Sequence, residues 1–219
     1  MRISRRHRSL GFGLGFVLGL LLAGPTALGE PAATPAGWSD QLALLARTLV
    51  SDSDDPGADA ERLAWLMSPD LTVRQMGSSG NESVARLRQL TVGLMPIATR
   101  AYTWPATSIA TDLAQDLGKC DSLPQAIRGQ FCPRDDAQAR RFNHVASQWM
   151  ANVLQPQPGQ LVGVIVLWEP LPPITTTLLL GTTPEPKQPL FVMVKAIAAE
   201  DGTFRITHLV YGDVRQALS

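Results

Sequence analysis

The sequence predicts an α+β fold, with N-terminal helices packed on a C-terminal antiparallel β-sheet, and three observations predict it. Near the C-terminus, Leu161 to Trp168, Leu190 to Ala198 and Phe204 to Tyr211 are rich in Val, Ile and aromatic residues and bounded by Gly and Pro, the marks of strands. Asp201-Gly202 lies between the last two runs, turn chemistry that closes an antiparallel hairpin. Upstream segments repeat apolar residues at the helical period, and a helix with one apolar face needs a partner to bury it against.

Taken in order, the chain opens with Arg2, Arg5, Arg6 and Arg8, then the apolar run Leu10 to Gly24, then small residues up to Gly29. A basic head, a short apolar core and a small-residue exit describe a secretory signal peptide over residues 1–29. The alternative is an N-terminal anchor, but the apolar run is shorter than the ~20 residues a bilayer span needs. Glu30 to Gly37 is a Pro/Ala linker, and residues 38–219 form a single domain. The localisation implied is periplasmic or extracellular.

A first helix follows, with Trp38, Leu42, Leu45 and Leu49 on one stripe and Ser39 or Asp40 to cap it. Ser51 to Gly57 is an acidic turn leading into a second helix, Ala58 to Met67, which Ser68-Pro69 stops. Asp70 to Gln75 alternates as a short strand, and a third helix starts near Asn81 with Val84, Leu87, Leu90 and Leu94 inward. Ile97 to Trp104 reads as a second strand, and Ile109, Leu113 and Leu117 as a short helix. Asp135 to Leu154 is the longest helix, with Phe142, Val145, Trp149 and Val153 in period. Between Trp168 and Leu190 the prolines flank a β-prone centre, Ile174 to Gly181, which reads as an edge strand or a projecting flap.

Charge and cysteine content narrow the function classes. The whole chain carries 19 basic and 19 acidic residues; loss of the leader's arginines leaves the mature chain at −4, which argues against a nucleic-acid partner. Cys120 and Cys132, the only cysteines, close a short loop in an exported chain and read as a disulfide. Metal ligation is not expected: the histidines beyond the leader are His144 and His208 alone, and the aspartates of Ser51 to Gly57 lack the glycine and terminal Glu of an EF-hand loop. Phosphate-loop, dinucleotide-binding, nucleophile-elbow and zinc-protease motifs are absent, so no cofactor is implied. His144 reads as a partly exposed helix residue. In FRITHLVY, His208 alternates with Phe204, Ile206 and Val210, which points it toward the apolar side of its strand. A histidine there is more often a hydrogen-bonded core residue than a catalyst.

The element order, with DLTVRQ after the second helix and closing strands that end in FRITHLVYGD, resembles the NTF2-like fold, a cone whose curved sheet wraps helices. The resemblance covers Trp38 to Leu218. It implies that an isomerase- or hydrolase-like site would use His208 with Asp70, Glu169 or Asp213 and with Tyr102 or Tyr211 in the mouth of the cone. A second implication is a small-molecule binder with an apolar pocket lined by Trp149, Trp168, Phe191 and Tyr211. Because catalytic signatures are missing, the favoured reading is a non-enzymatic envelope or secreted binding module that meets a protein partner through the cone or through the proline-rich flap, Glu169 to Pro189.

Overall fold

The computed structural model describes residues 33–52, 55–116, 134–169 and 190–213. Among these the elements are α1 (Trp38–Val50), α2 (Pro56–Leu66), β1 (Met67–Gln75), α3 (Val84–Thr91), β2 (Met95–Thr103), α4 (Ile109–Asp116), α5 (Asp136–Leu154), β3 (Leu161–Trp168), β4 (Leu190–Ala198) and β5 (Phe204–Asp213). The fold class is α+β, with helices leading and strands closing the chain. Residues 1–29, expected to be a signal peptide, the cysteine pair Cys120 and Cys132, and the proline-rich stretch from Pro170 to Pro189 lie outside the described residues.

The sheet has five strands in the order β1-β5-β4-β3-β2. The antiparallel expectation holds for β2 through β5, and Ala199 N donates to Thr203 O across the Asp201-Gly202 turn, where Gly202 takes a φ of 78°. β1 departs from it by joining β5 in parallel, so the sheet is mixed. Its Ser68-Pro69 start, read above only as a helix stop, is tolerated because β1 is an edge strand with a shifted register there.

Both faces of the sheet are covered. On one, α1 seats Trp38, Leu42, Leu45 and Leu49 against Leu161, Ile165, Val192, Val194 and Leu209, with α2 and α3 contributing Leu63, Leu66 and Leu87. Gly163 permits this approach: a Cβ there would stand 2.5 Å from Leu42 Cδ2. The start of α1 differs from the Ser39 or Asp40 cap expected. The helix begins at Trp38, behind Gly37 at φ 91° and with no side-chain cap, because the buried Trp38 indole donates to Val162 O at 3.1 Å and fixes the first turn. Elsewhere side chains cap in the ordinary way: Asp55 accepts from Ala58 N, Ser83 from Arg86 N and Asp135 from Gln138 N.

On the opposite face, α4 and α5 cover Val162, Val164, Val166, Phe191, Met193 and Val210. α5 buries only Met150 and Leu154 fully; Val145, expected on its inward stripe, is 45% exposed.

Candidate functional site

Helices α2 and α3 lean on the sheet without filling the space between them. The cleft they leave is about 570 Å³, and its walls are Leu63, Ala64, Met67, Val84, Ala85 and Val92. Small residues make the room: Ala60 and Ala64 on α2 and Ala85 on α3 stand where larger side chains would close the gap. One side is polar, with Ser51, Asp52, Arg88 and Gln89. Beside the cleft, Leu90, Val92 and Met95 are each exposed by 40% or more, a cluster of large apolar groups at the α3–β2 turn.

A buried carboxylate holds this cleft in shape. Asp59 on α2 is 1% exposed and accepts from Arg88 Nη2 of α3 at 3.0 Å and from Arg62 Nη1 at 3.2 Å. The Arg88 guanidinium also donates to Ser51 O, at the end of α1, so a single ion pair ties three helices together. Thr91 adds a second tie, donating to Leu49 O at 2.7 Å. Neither Asp59 nor Arg88 stood out in the sequence. Asp59 with Arg62 shows the i,i+3 charge pairing of any solvated helix, and nothing local points to Arg88 across the intervening strand.

A smaller cleft of about 450 Å³ lies between the start of α1 and the β4–β5 turn, lined by Asp40, Gln41, Arg47, Trp65, Thr203 and Phe204 among others. Arg205 lies over the half-exposed Trp65 ring, 5.8 Å from its centroid, and also donates to Trp65 O.

His208 is where the strand alternation misleads. Lys195 pairs with His208 but the next residue, Ala196, pairs with Ile206, so Thr207 is an inserted bulge residue. The bulge reverses the faces. Phe204 and Ile206 belong to the α1 side, as do Leu209 and Tyr211, while His208 and Val210 turn to the α5 side. His208 therefore does not share a face with Phe204 and Ile206, and it is half-buried beside cations, not in the apolar core.

The groups around His208 are basic. Its cross-strand neighbours are Lys195 on β4 and Thr72 on β1, with Arg74 one step further along the same face of β1. Lys195 Nζ donates to Leu154 O at 2.9 Å and Arg74 Nη2 to Val153 O at 3.4 Å, both at the carbonyl end of α5. His208 Nδ1 lies 3.0 Å from Thr207 Oγ1. Partial burial, then Lys195 and Arg74, push the imidazole below its ordinary pKa; burial and Arg74 do the same to the Lys195 ammonium.

Comparison with models of protein families, with curated proteins and with solved structures finds no match to this chain. The geometry alone carries the functional reading.

The acids expected near His208 are not brought to it. Asp70 is exposed, with its backbone N bonded to Ser68 Oγ, and Asp213 pairs with Leu190 at the C-terminal end of β5. Glu169 follows β3, which β4 separates from β5. The tyrosines go elsewhere too. Tyr102 is buried on the α4 side and donates to Ile109 O; burial first and Asp112 second hold its hydroxyl protonated far above the ordinary range. Tyr211 is buried on the α1 side and donates to Glu82 Oε2; burial and that bond push its pKa up to about 12. Of the aromatic residues expected to line a pocket, Trp149 packs edge-on against Phe191 at 6.3 Å, Trp168 falls on the same sheet face by alternation, and Tyr211 stands across the sheet from them. None of the four lines either cleft. Exposed His144 stays on the surface of α5.

Among the described residues, no group of His, Cys, Asp and Glu is arranged to hold a metal, and no helix is long and apolar enough to cross a membrane.

Proposed function

We propose that this protein is an exported, non-enzymatic binding module and that the α2/α3 cleft is its contact surface. The carrying observation is the cleft itself: apolar walls, a polar side and the Asp59–Arg88 pair that ties α2 to α3. Those are the properties of a groove that takes the apolar face of a peptide helix, with polar groups at the side to set its register. Leu90, Val92 and Met95 extend the apolar surface past the cleft, which suits an extended partner better than a small enclosed ligand. The export assignment rests on the basic and apolar leader, residues 1–29. The segment from Pro170 to Pro189, expected from the sequence to meet a partner, lies outside the described residues.

Site-specific photocrosslinking tests this reading. A photoreactive residue at Ala85, exposed and lining the cleft, is expected to yield a discrete protein adduct in the cells that produce the chain. The same probe at exposed Arg141 on α5 is expected to give none. Equal labelling at both positions, or none at Ala85, sinks the assignment.

A further inference from the structure

On the face opposite the cleft, independently of the reading just given, we propose that Lys195, His208 and Arg74 form a binding site for a phosphate-class oxyanion. The three residues come from three adjacent strands, β4, β5 and β1. Direct cross-strand pairing sets Lys195 beside His208, and parallel pairing sets Arg74 opposite Val210, the next residue on His208's face. Lys195 and Arg74 put two like charges on one face of the strands that flank β5, and a sheet normally avoids crowding like charges unless something neutralises them.

Two explanations compete. In the first, Lys195 and Arg74 only cap α5, each giving one hydrogen bond to its final carbonyls and easing the negative end of the helix. That accounts for one donor on each side chain and leaves most of their donors over. It also gives His208 no role, and it leaves Arg74 Nε buried without a hydrogen-bond partner, as Arg88 Nε is in its pair with Asp59. In the second, the helix end holds the cations in place and an anion takes the donors that remain. Among the described residues no carboxylate does so: their ion pairs engage Arg62, Arg88, Arg100 and Arg205, and neither Arg74 nor Lys195. The last turn of α5 offers no charged side chain either.

The donor set selects the ligand class. Two cationic side chains and an imidazole that can take up a proton match a dianion better than a single carboxylate, and oxygens arranged tetrahedrally can meet nitrogens arriving from three strands. All three side chains are only partly buried, so a ligand reaches them from solvent without opening the core. Free phosphate and the phosphoryl group of an organic monoester share this chemistry.

Titration of the mature protein with inorganic phosphate at constant ionic strength, followed by the ring-proton resonances of His208, tests the site. A saturable shift is expected, together with a rise in the apparent pKa of His208, because a bound dianion favours the imidazolium. Lys195→Gln and Arg74→Gln keep a donor for the α5 carbonyls and are each expected to weaken phosphate binding by about tenfold or more. Phenyl phosphate binding more tightly than phosphate assigns the site to a phosphoryl group on an organic ligand; the reverse order assigns it to the free ion. The proposal is overturned if the His208 resonances ignore millimolar phosphate, or if the folded Lys195→Gln variant binds as the parent does. If either variant fails to fold, the parent titration alone decides.

Discussion

The two faces of the sheet are built from the same strands and behave differently. The α1–α3 face is sealed: Trp38, Leu42, Leu45, Leu49, Leu66 and Leu87 are each fully buried, and its polar groups bond inward, Gln41 to Phe204 O and Thr91 to Leu49 O. The α4–α5 face is looser. Its longest helix buries just Met150 and Leu154 completely, and beyond the end of that helix the strands carry Lys195, His208 and Arg74. The sealed face derives its order from apolar contact and one buried ion pair. The open face keeps charge within reach of solvent, where it can meet a ligand. Apolar order and solvent-reachable charge are thus divided across one layer of strands, with the α2/α3 cleft at the margin of the sealed side.

The sharpest way to break this contrast is to remove the buried carboxylate of the sealed face. Asp59→Ala strips the partner from Arg88, which is itself only 21% exposed, and is expected to cost about 3 kcal/mol in chemical denaturation. A loss under about 1 kcal/mol would mean that the pair is incidental and the helices are held by apolar contact alone.

Next in size is Gly163→Ala. The added methyl meets the Leu42 side chain, which is fully buried and has little room to move, so a loss of about 1–3 kcal/mol is expected. A Leu42→Val change, which shortens that side chain, should recover part of the loss when combined with Gly163→Ala, a coupling that a double-mutant cycle measures. Simple additivity would show that α1 does not press on β3 at this point.

The smallest expected effect belongs to the open face. His208 is held below its ordinary pKa of 6.5, so the unfolded chain takes up a proton at a pH where the folded chain does not. The resulting stability is present above that ordinary value. It is lost as pH falls through it toward the folded pKa, after which the dependence flattens. His208→Gln should remove this segment of the pH–stability curve without altering the plateau above neutrality. A curve unchanged by the substitution would remove His208 from the charged row.

The strands β3, β4 and β5, the Asp201-Gly202 hairpin and the long helix α5 were legible from local composition, because period, turn residues and caps are properties of neighbours in the chain. The sites were not. The bulge at Thr207 inserts one residue into a ladder, and with a side-chain period of two this sends His208 to the other face from Phe204 and Ile206. A lone lysine interrupting the apolar run of β4 was the only local hint of the basic row, and its meaning depends on His208 and on Arg74, which stands in a distant strand. The cleft is likewise absent from any single segment, since it exists only where Asp59 draws α2 to Arg88 of α3. Period and turn chemistry act between residues a few positions apart and therefore appear in the string. Pairing register, bulge position and the partner of a buried charge are settled by residues far apart in the chain, and only the packed fold decides which of them meet.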